Sequence, residues 1–137
     1  MPPTIAWQCK ECKTYSEIEF IPGKSLSCPK CSKEWGRADP AKNIFDACPI
    51  CQTRQFYIQK DFNQLLGCLV ILIGILLVPK TYGLSLPIFA GIDWLIYRRI
   101  KTIAVCYRCG AEFRGFDVPK PFKPFLHHIG MKYDKYR

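Results

Sequence analysis

The pattern of apolar and polar positions divides the chain into short alternating segments and one long apolar stretch. Residues Tyr15–Phe20 alternate between polar and apolar side chains, which predicts a β-strand. Further short strands are predicted at Gln55–Ile58, Lys101–Val105 and Ala111–Phe116. The long apolar stretch, Leu65–Tyr97, lies between the strands predicted at Gln55–Ile58 and Lys101–Val105. The pattern therefore indicates small β units interrupted by a hydrophobic insertion.

The insertion consists of two apolar segments, Phe62–Val78 and Tyr82–Tyr97, joined by the turn Pro79–Gly83. As helices they would be roughly 25 Å long. Each contains slightly fewer residues than the roughly 20 apolar residues of a full span. A re-entrant or interfacial hairpin therefore stays open beside a full span. A buried helical pair in a soluble protein would need a large surrounding domain, which 137 residues do not supply. The sequence predicts a membrane hairpin.

Eight of the nine cysteines form four Cys-x-x-Cys pairs. Each pair can place two sulfurs on one side of a tight turn, and two pairs complete the tetrahedral shell that structural zinc prefers. Fifteen residues separate the first two pairs, whereas 54 separate the last two, because the apolar insertion lies between them. We expect two zinc ions per chain, with these ligands: Cys9, Cys12, Cys28, Cys31, Cys48, Cys51, Cys106 and Cys109.

Two other uses of the cysteines have to be weighed. Residues Met1–Thr4 show no basic segment before an apolar run, so we expect no signal peptide and disulfides are disfavoured. Iron in a rubredoxin-like four-cysteine site is the closer alternative. Rubredoxins usually carry glycine after each pair, whereas here Lys13, Ser32 and Gln52 follow three pairs and only the fourth is followed by Gly110. This favours zinc, with iron as the alternative.

These observations predict small β zinc ribbons plus an α-helical membrane hairpin. The first ribbon covers residues 1–36 and is followed by a linker at 37–47. The second ribbon covers residues 48–116 and is interrupted by the hairpin at about 62–97. A basic, aromatic tail, rich in proline at its start, completes the chain at 117–137.

Charge is distributed unevenly and suggests an orientation. Residues 98–137 carry ten basic and three acidic side chains, which accounts for most of the net charge of +9. The open end of the hairpin is flanked by Lys60, Arg98, Arg99 and Lys101. Because basic residues flank membrane segments on the cytoplasmic side, both termini and both ribbons are predicted to be cytoplasmic. Asp93, the one acidic residue in the apolar stretch, is expected to pair with Arg98.

Residues 48–116 resemble the LITAF-type domain. The shared features are Cys48-Pro-Ile-Cys51, an apolar membrane segment, and Cys106-Tyr-Arg-Cys109 followed by Gly115-Phe116. That family is a zinc ribbon split by a membrane-inserted stretch, and its members act as adaptors on the cytosolic face of endosomal membranes. The resemblance implies the architecture; the apolar insert here has two segments where the family has one. Residues 5–36 resemble a generic zinc ribbon of the kind found in small bacterial regulatory proteins.

No Ser/His/Asp or Cys/His catalytic set is visible, and four cysteines leave zinc no open position for water. We therefore expect no enzyme but an accessory subunit or adaptor in a membrane-associated protein complex, with the lipid bilayer and a protein as partners. An electron carrier with iron sites is one alternative. A membrane-tethered nucleic-acid-binding protein is another, because the chain is basic.

Overall fold

The computed structural model describes residues 2–136 and divides the chain into two compact units. The first unit contains residues up to Gln59 together with those from Thr102 onward, and the second unit is Lys60–Lys101. The first unit is a small β structure, and the second is a pair of helices inserted into it between two strands. Small antiparallel β-sheets carrying the cysteine pairs, with an apolar insertion, were predicted and are confirmed.

Within residues 2–136, seven strands form the β unit. They are β1 (Thr4–Gln8), β2 (Tyr15–Glu19), β3 (Ser25–Ser27), β4 (Glu34–Arg37), β5 (Phe56–Lys60), β6 (Thr102–Cys106) and β7 (Glu112–Arg114). Five of them build one sheet in the order β2-β1-β7-β6-β5, and β3 pairs with β4 in a separate two-stranded sheet. The described pairings are antiparallel, with Ile5 of β1 opposite both Ile18 of β2 and Phe113 of β7.

The pairing of β1 with β7 differs from the predicted division into two separate ribbons. Thr4 lies opposite Arg114 and Ala6 opposite Glu112, so strands from the two ends of the chain share one sheet. Ribbons this small bury little apolar surface alone, and joining them lets Ile5, Phe113 and Ala104 stack across three neighbouring strands, all fully buried. The two ribbons therefore belong to one compact unit.

The main core contains aromatic side chains from segments that looked polar or irregular in sequence. Phe45, from the predicted linker 37–47, is 7% exposed. Its ring makes edge contacts with four other phenylalanines, at centroid distances of 5.4–6.0 Å. These are Phe56, Phe113, Phe116 and Phe122. The segment 37–47 thus contributes Phe45 to the core, whereas most of its other residues are exposed.

The tail folds back onto the opposite face of the sheet. It contains α3 (His127–Tyr133), followed by a short 3-10 turn at Asp134–Tyr136. Ile129 and Tyr133 of α3 pack on a second buried cluster, formed by Tyr57, Ile103, Val105 and Tyr107. The backbone N–H of Leu126 donates to the Tyr107 hydroxyl at 2.8 Å, and the N–H of Ile58 in β5 donates to the Lys123 carbonyl at 3.0 Å. The tail therefore covers one face of the sheet and the edge of β5.

The helical unit contains α1 (Gln64–Thr81) and α2 (Ser85–Arg99), joined by three residues. Asn63 caps α1, since its side-chain oxygen accepts from the N–H of Leu65 at 3.0 Å. Tyr82 ends α1 in the left-handed region at φ 50°. The Ser85 hydroxyl donates to the Gly74 carbonyl at 3.2 Å and so connects the two helices.

Only one of the two helices meets the simplest criterion for a membrane span. Within residues 2–136, α1 alone is long and apolar enough to cross a membrane, judged by length and composition, and 11% of it is buried. The second helix, α2, has 15 residues and contains Asp93. Two helices were predicted and are present, whereas their insertion into a membrane stays a prediction.

Candidate metal centres

The four Cys-x-x-Cys pairs adopt one repeated backbone geometry. In each, the N–H of the residue after the second cysteine donates to the carbonyl of the first cysteine at 2.8–3.0 Å. That residue adopts a positive φ between 56° and 73°. The four residues are Lys13, Ser32, Gln52 and Gly110. Three non-glycine residues thus take a conformation that disfavours side chains, which indicates that the tight turn is required to aim both sulfurs in one direction.

The first cluster brings together Cys9, Cys12, Cys28 and Cys31. Cys9 directly follows β1 and Cys28 directly follows β3, so one pair comes from each sheet. The Sγ atoms of Cys9 and Cys31 lie 3.6 Å apart, and those of Cys12 and Cys28 lie 3.7 Å apart. Cys9 and Cys28 are buried, whereas Cys31 lies at the surface.

The second cluster brings together Cys48, Cys51, Cys106 and Cys109. Cys106 ends β6, and Cys48 and Cys51 precede β5, so the strands on either side of the helical insertion return to one site. The Sγ atoms of Cys48 and Cys109 lie 3.6 Å apart, and those of Cys51 and Cys106 lie 3.5 Å apart. Cys48 and Cys106 are fully buried.

Both clusters have the dimensions of a tetrahedral thiolate site. A metal with bonds of about 2.3 Å to four sulfurs requires sulfur–sulfur edges of about 3.8 Å. The observed 3.5–3.7 Å is close to this value, and it is far longer than the roughly 2.0 Å of a disulfide. In each cluster the four sulfurs lie within 4.8 Å of one another. The chain therefore has two four-cysteine, zinc-ribbon-like sites that can hold a metal ion.

Hydrogen bonds within and around each cluster lower the pKa of some cysteines and raise the pKa of others. The backbone N–H of Cys12 is the main cause that lowers the pKa of Cys9 to about 6. The Thr14 side chain and N–H likewise lower the pKa of Cys12. In the second cluster, hydrogen bonding from the Cys106 thiol lowers the pKa of Cys51.

The pKa values of three other cysteines shift the other way. Hydrogen bonding with Cys106 raises the pKa of Cys48 and of Cys109. At Cys31 the N–H of Lys33 lowers the pKa, but burial and the neighbouring sulfurs outweigh it and raise the value to about 12. Each metal-free cluster thus combines thiolates with thiols, and a bound cation would favour the thiolate at all four sulfurs.

Two tryptophans lie between the clusters. The rings of Trp7 and Trp35 are both buried and meet edge to face. The indole N–H of Trp7 donates to the Cys109 carbonyl at 2.8 Å. The indole N–H of Trp35 is buried without a nitrogen or oxygen partner in the described part of the chain, and it helps to lower the pKa of Cys9. A cavity of about 230 Å³ beside the two rings is lined by Cys9 and by cysteines of the second cluster.

All eight cysteines singled out in the sequence lie in the two clusters, four in each. The ninth, Cys68, lies exposed on α1 and belongs to neither. Sequence reasoning missed Trp7 and Trp35. A usable signal existed for Trp7, because it alternates with Ile5 toward the core two residues before Cys9. Trp35 follows the second Cys-x-x-Cys pair, and no alternation with apolar neighbours marks it as a core residue.

No family model matches the sequence, and comparisons with curated proteins and with solved structures give no match either. The description of the sites therefore rests on the geometry of this chain. The architectural resemblance of residues 48–116 to the LITAF-type domain stays a prediction, whereas the two zinc-ribbon-like cysteine clusters are present in the fold.

Proposed function

We propose that this chain is a non-catalytic, membrane-anchored zinc-ribbon protein that serves as an accessory subunit or adaptor in a membrane-associated complex. The observation that carries the proposal is the exposed apolar surface of the helical insertion between β5 and β6. A soluble protein would bury such a surface, and a bilayer would accept it.

Large apolar side chains are exposed along both helices. In α1 the exposed fraction is 76% for Leu65 and 67% for Leu76, and Leu69, Leu72 and Ile75 are exposed by more than half. Burying such a side chain is worth about 1.5–3 kcal/mol, so leaving many of them in water is costly. The apolar residues also lie around the whole circumference of α1, as in helices surrounded by lipid.

The dimensions of the hairpin fit insertion from one side of a bilayer. At about 1.5 Å per residue, α1 is roughly 27 Å long and α2 roughly 22 Å, compared with a hydrocarbon core of about 30 Å. Both a thin span and a re-entrant hairpin are compatible with these lengths. Basic residues flank the open end of the hairpin, at Lys60, Arg98, Arg99 and Lys101, which supports a cytoplasmic position for the ribbons and termini.

Zinc is the metal we propose for both clusters. Four thiolates in a closed tetrahedron form a structural site with no open position for water or substrate. The metals would stabilise a small β unit with limited core, and the exposed surface of that unit would bind a protein partner. Iron in the same shells would instead give a redox-active electron carrier.

Metal analysis and membrane extraction of the full chain test the proposal together. We expect two zinc ions per chain and retention in the membrane pellet after alkaline carbonate washing. The variant Leu69→Lys, Leu72→Lys, Leu76→Lys places three charges on α1 and should release the protein from membranes while keeping both metals. The matched variant with methionine at the same three positions should stay in the pellet. Iron as the bound metal, or release of the wild-type chain by carbonate, would overturn the proposal.

A further inference from the structure

Asp93 is the one acidic residue of the helical insertion between Asn63 and Arg99, and it lies beside a cavity. The cavity has a volume of about 230 Å³ and is lined by Asp93 and Tyr97 of α2 and by Gln64, Gly67 and Cys68 of α1. We call this cavity and its lining residues the Asp93 notch. Because Gly67 has no side chain, the Phe62 ring lies against α1 there, and Phe62 and Ile71 complete the lining of the notch near the open end of the hairpin.

The carboxylate of Asp93 makes no hydrogen bond or ion pair with any residue in the described range 2–136. The sequence suggested a pair with Arg98, but five helical residues correspond to a rotation of about 140°. Arg98 therefore points away from Asp93, and its guanidinium lies over the Trp94 ring at 5.3 Å. The ammonium of Lys60 is also engaged, with the Ile100 carbonyl at 3.1 Å and the Tyr97 ring.

An unpaired carboxylate on a membrane-inserted helix is unfavourable, and its natural complement is a cation at the same depth. Asp93 lies six residues before the end of α2 at Arg99, or about 9 Å along the helix axis. Lipid ammonium groups lie further out, in the headgroup layer. A second copy of this chain would not supply the cation either, because Lys80 is the one basic residue of segment 62–97 and lies at the opposite, turn end of the hairpin.

We propose that the Asp93 notch docks a transmembrane helix of a partner protein, with a lysine or arginine of that helix paired to Asp93. Ionisable side chains inside membrane segments usually pair with one another, and a basic side chain carried by a partner helix at this depth would give Asp93 such a pair. Tyr97, one turn after Asp93 on α2, and Ile71 on α1 both line the notch and are more than half exposed, so they supply apolar surface for the partner helix. This inference rests on the proposed membrane insertion and deepens it, since it identifies the chemistry of the partner.

The test uses the zinc-loaded full chain in phosphatidylcholine vesicles with labelled synthetic helices. One probe is a polyleucine transmembrane helix with a single lysine about two turns from its cytoplasmic end. Two further probes carry leucine or glutamate at that position. Energy transfer between protein and probe reports association. We expect the lysine helix to associate on the order of tenfold more strongly than the leucine helix, and Asp93→Asn to remove that preference.

A charge exchange separates pairing from damage to the fold. Asp93→Lys should lose the lysine helix and gain the glutamate helix, whereas Asp93→Glu should behave as the wild type. Equal association of the lysine and leucine helices, or a preference that survives Asp93→Asn, overturns the inference. So does association between copies of this chain that depends on Asp93 in the absence of any probe.

Vesicle flotation, performed first, separates membrane insertion from docking of the partner helix. A chain that fails to float with vesicles contradicts both the membrane insertion and the inference. A chain that floats and is protected from protease over α1, yet shows no preference for the lysine helix, contradicts the inference alone.

Discussion

Trp7 and Trp35 meet edge to face, with 5.2 Å between the ring centroids and 85° between the ring planes. Each indole approaches a different cysteine cluster. The N–H of Trp7 donates to the carbonyl of Cys109 in the second cluster, and the buried N–H of Trp35 acts on the Cys9 thiol of the first. The two rings therefore connect the surroundings of both metal sites in one packed contact.

The first prediction concerns the N–H of Trp35. Trp35→Phe keeps an aromatic ring in the core but removes the donor near Cys9, and outer-shell donors of this kind raise metal affinity by roughly tenfold to a hundredfold. We expect weaker zinc binding at the first cluster alone, measured by competition with a chromophoric chelator. Trp7→Phe is the matched control and should affect the second cluster instead. Unchanged zinc affinity in Trp35→Phe would show that the indole N–H does not contribute to metal binding at the first cluster.

The second prediction concerns the independence of the metal shells. Cys106→Ser removes one ligand of the second cluster, while the first cluster keeps its own four cysteines. Metal analysis should find one zinc per chain. Because β6 and β7 continue the sheet that contains β1, the remaining unit should also unfold at a lower denaturant concentration. Cys68→Ser, on α1, serves as control and should keep two zinc ions per chain. Loss of both metals in Cys106→Ser would mean that the clusters bind as one cooperative site.

The third prediction concerns Phe45. This side chain is buried among four other phenylalanine rings, so Phe45→Ala should lower the free energy of unfolding by about 3–5 kcal/mol. Lys42→Ala, at an exposed position of the same segment, should change it by less than about 0.5 kcal/mol. Denaturant unfolding of both variants in detergent, followed by tryptophan fluorescence, measures the difference. Similar values for the two variants would indicate that segment 37–47 behaves as a linker after all.

The sequence was informative where the chemistry is local. The spacing of the cysteine pairs identified all eight clustered sulfurs, and alternation together with short aromatic and β-branched runs predicted four of the strands that are present. It did not reveal the contact of Thr4 with Arg114, because no local pattern encodes the register of strands 110 residues apart. It also placed Phe45 in a linker, since one aromatic among polar neighbours has no periodicity. Both failures concern tertiary packing, which brings distant segments into one core.

The fourth prediction concerns pH in the metal-free, reduced protein. The pKa of Cys9 falls from 9.0 in the unfolded chain to about 6 in the fold, mainly because the N–H of Cys12 donates to its sulfur. The folded state therefore binds fewer protons in this window than the unfolded state does. The stability contributed by the thiolate should be complete above pH 9.0 and should be lost as the pH falls through about 6.

Denaturant unfolding of the chelated protein, measured across this pH range, checks the sign. The control is Cys9→Ser, in which this part of the pH dependence should disappear. Stability that rises as the pH is lowered toward 6 would contradict the assignment. With zinc bound, protons compete with the metal for the sulfurs, so zinc release should increase as the pH is lowered.

The backbone N–H of Asp61 donates to the carbonyl of Lys101 at 3.1 Å, so the two ends of the helical insertion lie side by side. An insertion whose ends adjoin can be lengthened, shortened or exchanged without altering the distance that the host strands must span. The helical insertion can therefore vary in length while both cysteine clusters keep their geometry. If it is the proposed membrane anchor, the same β unit would suit bilayers of different thickness.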